Sequence, residues 1–123
     1  MTIASKTVPG NLASTRSSDL SVNATPQFAV AGAGSLFGAY IDNTGNGAPT
    51  YVKIYDQTAG NITVGTTVPE HIIMVPAGAA RQVSIPAGLP FANGIGYAAV
   101  TAGGTGGTSA PASAVSLRLL MGS

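Results

Sequence analysis

Few residues of this chain could carry out chemistry. The sequence has no cysteine, one histidine and four carboxylates among 123 residues. The histidine, His71, follows Glu70 directly. Neighbouring residues of a strand point to opposite faces of a sheet, so these two side chains would not act as a pair. Nothing local brings a serine and Asp42 or Asp56 to His71. Without cysteine, disulfides and thiolate zinc sites are excluded. We therefore predict that the protein is not an enzyme and has no catalytic residues.

Two loops have a superficial likeness to ligand-binding motifs. Residues 42–47, DNTGNG, lack the further spaced carboxylates and the closing glutamate of a calcium loop. The Asn-Gly pair at 46–47 favours a hairpin turn, with calcium binding as the weaker alternative. Residues 103–107, GGTGG, have no Lys-Ser or Lys-Thr ending and no basic neighbour in sequence. They predict a flexible loop tip and not a phosphate cradle. We expect no metal site and no cofactor.

The charge content favours a protein that works by association. Charged residues make up 7% of the chain and the net charge is +1, whereas about 25% charged residues is ordinary. A net charge near zero favours association over a soluble monomer. The five cations are scattered, which argues against nucleic acid as a partner. No apolar run approaches the roughly 20 residues of a membrane span, so no membrane partner is expected.

The first 26 residues differ in composition from the rest of the chain. They are rich in Ser, Thr and Ala, with scattered apolar residues. One interpretation is a disordered tail. The other is an extended arm that becomes ordered on a neighbouring subunit, with Leu12, Leu20 and Val22 as anchors. The low charge of the segment favours the arm, because segments that stay solvated are usually more charged. We therefore divide the chain into an N-terminal arm, 1–26, and one folded domain, 27–123.

The remainder of the chain reads as short strands separated by turns. Gly and Pro, 17 and 8 in number, interrupt almost every window long enough for a helix. Turn signals recur about every ten residues, which predicts a single all-β domain of about seven or eight short antiparallel strands, either a sandwich or a barrel. The expected strands lie at 27–34, 36–42, 50–56, 70–75, 81–85, 93–101 and 114–121, with 61–68 as a weak strand or irregular crossing. Pro76-Ala77-Gly78 and Pro86-Ala87-Gly88 are expected to be turns.

Alternation within 50–56 places its aromatic residues on one face. Val52 and Ile54 should point one way, and Tyr51, Lys53 and Tyr55 the other. An exposed pair of tyrosines could be a platform for a sugar ring, although the chain has no tryptophan. A core edge or a subunit contact is the better interpretation. Tyr51 and Tyr55 therefore join Leu12, Leu20 and Val22 as the candidate residues of an interface with another subunit or another protein.

Over more than half its length the chain resembles small virion proteins of tailed bacteriophages, of the capsid decoration or cement type. The similar segments are the strand YVKIYD, the stretch TVGTTVPEHIIMVPAG, the stretch VSIPAGLPFANGIGYAAV and the closing alternating strand, at 51–56, 63–78, 83–100 and 114–121. The resemblance implies a jelly-roll-like sandwich that decorates a capsid, commonly as a trimer that clamps neighbouring major capsid proteins. It implies no catalytic residue.

These observations lead to one functional hypothesis and two alternatives. The first is a phage capsid decoration protein that binds the outer shell and stabilises it by bridging major capsid proteins. The alternatives are a head-fibre module that binds a glycan or receptor, and a tail or neck virion protein of the same fold. The N-terminal sequence lacks a secretory pattern. We therefore expect synthesis in the host cytoplasm and a final location on the virion surface, as a homo-oligomer.

Overall fold

The computed structural model describes residues 15–122, which form eight β-strands and one short 3₁₀ helix. The strands are β1 (Thr15–Val22), β2 (Gln27–Ala31), β3 (Gly34–Asp42), β4 (Thr50–Tyr55), β5 (His71–Val75), β6 (Ala80–Phe91), β7 (Gly94–Val100) and β8 (Val115–Gly122). The 3₁₀ helix, Ala59–Asn61, lies in the connection between β4 and β5. The predicted all-β class and strand number are confirmed.

The strands form two four-stranded antiparallel sheets. The first sheet has the order β1-β8-β3-β6 and the second the order β2-β7-β4-β5. Each strand of the first half of the chain pairs with its counterpart counted from the other end: β1 with β8, β2 with β7, β3 with β6, and β4 with β5. The chain is thus one long two-stranded ribbon whose successive pairs alternate between the sheets. The two sheets pack as a β-sandwich.

One core lies between the sheets, and alternation explains which residues fill it. Along β8, Val115, Leu117, Leu119 and Met121 all face inward, as expected from the sequence. Side chains of both sheets meet there, as in other sandwiches. The other buried members of this core are Val22, Leu36, Ala39, Ile41, Val52, Ile54, Ile73, Val75, Phe91, Ile95, Tyr97 and Ala99.

The first strand lies inside the segment that the composition assigned to an arm. Residues 15–22 pair with β8 of the same chain from Thr15 to Val22. Val22 is fully buried in the core, so its expected role as an interface anchor is wrong. The division at residue 26 is corrected accordingly, because the sandwich begins at Thr15. Leu12 lies outside the described residues.

The sixth strand is longer than predicted, because Pro86-Ala87-Gly88 does not reverse the chain. Leu36 of β3 pairs with Leu89, while Gly38 pairs with Ser84, so β6 has extra residues there and bulges outward. Gly88 adopts a φ of 79°, and the ring of Phe37 lies against it. Proline can be accommodated at this point because β6 is an edge strand. The triplet at 76–78 is a turn, with Gly78 at a φ of 67°.

Candidate functional site

The outer face of the second sheet is covered by two loops of the same chain. The connection from β4 to β5 and the connection from β7 to β8 lie over it. Tyr55 packs there with Ile62 and Ala98, in a small apolar cluster separate from the main core. The two loops also touch one another, since a Cβ at Gly65 would lie 2.5 Å from Cγ2 of Thr108. The loops therefore cover the middle of this face, while Phe28 and Met74 on its two edge strands remain partly exposed.

Lys53 holds the glycine-rich loop against that face. Its side chain is fully buried, and its ammonium donates hydrogen bonds to the carbonyl oxygens of Thr105 at 3.0 Å and Gly107 at 2.9 Å. Burial lowers the pKa of Lys53. The loop at 103–107 thus has a basic partner that is distant in sequence. It offers that partner carbonyl oxygens and not N–H groups, so its role here is to cap a buried cation.

The two tyrosines predicted for an interface are not an exposed pair. Tyr55 is 0% exposed, and its hydroxyl has no hydrogen-bond partner within the described part of the chain. Its assignment to a subunit interface is therefore wrong. Tyr51 is half-buried against the loop, because a Cβ at Gly103 would lie 2.8 Å from its Cε2. The sugar platform loses its structural basis. Leu20, by contrast, is 65% exposed beside the bulge of β1.

The loop at residues 42–47 is a structural junction. The buried Asn43 side chain donates to the carbonyl oxygens of Pro76 at 3.0 Å and Ala48 at 3.1 Å. Its Oδ1 accepts hydrogen bonds from Asn46 Nδ2 at 2.8 Å and Thr50 Oγ1 at 2.7 Å. The turn itself lies at residues 44–45, two positions earlier than the predicted Asn-Gly turn at 46–47. The Asn43 amide therefore joins its own loop to the turn at residues 76–78, and both its nitrogen and its oxygen have hydrogen-bond partners.

Asn46 completes this junction by pairing with the segment before β8. Its Nδ2 donates to the carbonyl of Ser113 at 2.8 Å, and its Oδ1 accepts from the Ser113 backbone N–H at 2.7 Å. The two bonds form a closed pair between side chain and backbone. Asn46 is consequently buried, although an Asn-Gly sequence in a hairpin is usually exposed to solvent.

Three of the four carboxylates are held by hydrogen bonds inside the chain. Asp19 accepts a bond from the Tyr97 hydroxyl at 2.8 Å. Asp42 accepts from the Thr44 hydroxyl at 2.6 Å and from the Thr44 N–H at 2.9 Å, and these bonds lower its pKa. Asp56 accepts from three successive backbone N–H groups at residues 92–94. The fourth carboxylate, Glu70, is exposed.

His71 gives no sign of a catalytic or metal-binding role. It is exposed at the start of β5, opposite Ile54 of β4. Within residues 15–122, no three side chains of His, Asp or Glu come together in a way that could hold a metal ion. The described residues also contain no helix that is long and apolar enough to cross a bilayer.

Among residues 15–122, no loop covers the outer face of the first sheet, in contrast to that of the second. Its cross-strand rows can be read from the register. One row contains Arg16, Leu120, Gly38 and Ser84, and the next contains Ser18, Arg118, Tyr40 and Gln82. Because Gly38 has no side chain, the first row is interrupted between its neighbours. The interruption forms a cleft of ≈ 200 Å³. We call this the sheet-1 cleft.

The sheet-1 cleft combines apolar walls with a cationic rim. Phe37, Tyr40 and Leu120 line it, and all three keep part of their surface exposed. Arg16 and Arg118 also line it and make its rim cationic, and the guanidinium of Arg118 sits 5.8 Å from the centre of the Tyr40 ring. Such a site suits an apolar side chain next to an anionic group.

Sequence reasoning missed this cleft, although part of the signal was present. The alternation in β8 places Arg118 and Leu120 on the face opposite the core. What could not be read from the sequence is that Arg16 and Tyr40 lie on the strands flanking β8, because those pairings join residues far apart in the chain.

Comparisons of the chain with family models, curated proteins and solved structures find no match.

Proposed function

We propose that the protein is a structural component of a phage virion, a capsid decoration protein that acts through its surface contacts. The observation that supports this best is the asymmetry of the sandwich. Loops of the chain cover the outer face of the second sheet, while the first sheet leaves Phe37, Tyr40 and Leu120 accessible. Exposed apolar side chains next to arginines form a surface that another protein can cover. The expected partners are other copies of the chain and the major capsid protein.

Further exposed apolar residues extend the contact surface. They lie on β1 and β2 and in the connection before β5, at Leu20, Phe28 and Val68. Single exposed apolar residues are ordinary on monomers. Their combination with 7% charged residues is what favours an assembly component, since few charges must lose their hydration when the surface is covered.

We further infer that the sandwich is of the jelly-roll type. The ribbon pairing of β1 with β8, β2 with β7, β3 with β6 and β4 with β5 supports this assignment. A folded ribbon of eight strands divided between two sheets is the arrangement that jelly rolls use in viral capsid domains. That parallel concerns the fold, and the function is argued from the open face.

Addition of the purified chain to shells that lack it tests the proposed function. We expect saturable binding and a higher temperature of shell disruption. Leu120→Ser, on the open face, should weaken binding to the shell, and the loss of binding free energy should be at least as large as the loss of folding free energy. Met74→Ser, on the second sheet, is the matched control. Absence of binding by a folded wild-type chain would reject decoration. Counting copies per virion by mass spectrometry separates a shell protein, with hundreds of copies, from a tail or neck protein, with about six or twelve.

A further inference from the structure

We propose that the sheet-1 cleft receives residues 68–70 of a second copy of this chain. In this contact the Glu70 carboxylate lies between Arg16 and Arg118, and the Val68 side chain packs on the apolar wall of the cleft. The inference rests on the proposed contact function for its choice of surface. Beyond the proposed function, it specifies the partner, the residues that each of the two copies contributes and the geometry of assembly.

The cleft favours an anionic occupant. Arg16 pairs with Leu120 and Ser18 pairs with Arg118, so the two arginines are diagonal neighbours on adjacent strands. Like charges this close repel one another unless an anion lies between them. A second hollow, of ≈ 230 Å³, is lined by Arg16, Ser17, Ser18 and Arg118. Asp42 is near enough for Arg118 to lower its pKa, but its carboxylate is already engaged by Thr44.

The chain itself offers one carboxylate for this role. Asp19, Asp42 and Asp56 each accept hydrogen bonds within their own molecule. Glu70 is exposed at the residue before β5. A carboxylate and a guanidinium form strong charge-assisted hydrogen bonds, and a pair of arginines around one carboxylate is a stable arrangement when it is partly shielded from water. Charge complementarity therefore selects Glu70.

The residues next to Glu70 match the remainder of the cleft. Val68, two positions earlier, is 73% exposed, the largest exposed fraction among the large apolar side chains of residues 15–122. Pro69 between them restricts the backbone, which lowers the entropy lost on docking. The apolar side chain of Val68 and the carboxylate of Glu70, two residues apart, are complementary to the apolar wall and the cationic rim of the cleft.

The positions of the two surfaces make the contact one between copies. The cleft lies on the first sheet, and residues 68–70 lead into β5 at an edge of the second sheet. Each copy would therefore use a different surface toward each neighbour. Such a head-to-tail contact generates a closed ring or an open filament. A closed ring is the form that fits the proposed decoration of a shell.

A charge-exchange experiment on the full chain tests the contact. We expect sedimentation velocity to show a wild-type oligomer that dissociates with rising salt. Arg118→Glu and Glu70→Arg should each weaken self-association about tenfold or more, because like charges then face each other. The double variant, Glu70→Arg with Arg118→Glu, should regain most of the lost association. Arg81→Glu is the charge control outside the cleft; because it also removes the hydrogen bond from Arg81 to the Met74 carbonyl, its folding stability is measured alongside.

Several results would overturn the contact. They are a monomeric wild-type chain, wild-type association of both single variants, and failure of the double variant to recover. Circular dichroism of each variant excludes misfolding, and Glu70→Gln offers a milder change, with partial weakening expected. If monomers bind shells and Arg118→Glu abolishes that binding, an acidic segment of the shell occupies the cleft. The proposal that a second copy occupies it is then wrong. If rings form but do not bind shells, the contact stands and capsid decoration fails.

Discussion

The hydroxyl of Tyr97 donates a hydrogen bond of 2.8 Å to the carboxylate of Asp19, joining the second sheet to the edge strand of the first. The two residues are 78 positions apart, on β7 and β1. Burial of the phenol, and then the hydrogen bond and charge of Asp19, raise the pKa of Tyr97 far above its ordinary value. The hydroxyl therefore remains a donor throughout the physiological pH range, and it fastens β1 to the sandwich.

Tyr97→Phe removes this bond without changing the packing of the ring. We expect a loss of about 1–2 kcal/mol in the free energy of unfolding, because the partly buried Asp19 carboxylate loses a donor. Urea denaturation measures the loss. Tyr40→Phe, on the open face of the first sheet, is the matched control and should change stability by less than about 0.5 kcal/mol. Equal effects of the two substitutions would show that the bond contributes nothing specific.

Asn43→Ala tests the polar junction beneath the β3–β4 turn. The substitution leaves Thr50 Oγ1 and Asn46 Nδ2 without their shared acceptor and several carbonyls without a donor. We expect a cost of about 2–3 kcal/mol, since several buried polar groups lose partners together. The midpoint of thermal unfolding reports it. The exposed Asn61 is the control position, and Asn61→Ala should be close to neutral. A neutral Asn43→Ala would mean that water replaces the amide at no cost.

Asp56 should make the fold sensitive to acid. Burial raises the pKa of this carboxyl, but backbone hydrogen bonds from Asn93, Ala92 and Gly94 together outweigh burial and lower it below 3.8. The unfolded chain then binds the proton more readily, so this contribution to stability is present above about pH 4 and is lost as the pH falls through the folded pKa. Asp56→Asn should be less stable than wild type at pH 6, and the difference should shrink toward pH 2. A difference that is constant with pH would contradict this.

Lys53 should make the stability of the fold depend on pH in the alkaline range as well. Because burial lowers its pKa in the folded state, the unfolded chain binds more protons between that value and 10.5. Stability therefore rises with pH through this window. Lys53→Met should lose this rise, and the amide hydrogens of residues 103–107 should exchange faster because Thr105 and Gly107 lose the ammonium donor. Denaturation at pH 7 and pH 10, with hydrogen exchange, measures both effects. If the stability of Lys53→Met rises between pH 7 and pH 10 as much as that of wild type, another titrating group causes the rise.

Truncation separates the first strand from the residues before it. Removing residues 1–26 deletes β1, takes Val22 out of the core and leaves the Tyr97 hydroxyl without its partner. We expect that chain to unfold far more readily than wild type, by loss of an entire edge strand. Removing residues 1–14 should leave the denaturation midpoint nearly unchanged. If both truncations unfold alike, residues 1–14 stabilise the sandwich. If neither does, β1 is dispensable.

The strands were predictable where alternation and turn chemistry were strong. Residues 50–56 and 114–121 gave strands with the expected inward faces, because local pattern and burial agree there. Pro86-Ala87-Gly88 gave the wrong expectation, since a turn and a bulge use the same residue types and only the partner strand distinguishes them. The segment at 15–22 was misassigned because Ser and Thr on an edge strand have the composition of a solvated tail.

The sequence by itself determined the fold class and the small inventory of reactive groups. Both depend on local features, namely the period of apolar residues, the turn residues and the counts of Cys, His and carboxylates. The tertiary structure decided that Tyr55 and Val22 are buried and that a distant loop caps Lys53. It also decided that Arg16 and Arg118 line the same cleft beside Gly38. The physical reason is that each of these depends on pairing between strands far apart in the chain. A register of that kind is fixed by the combined packing of both sheets and by no single segment.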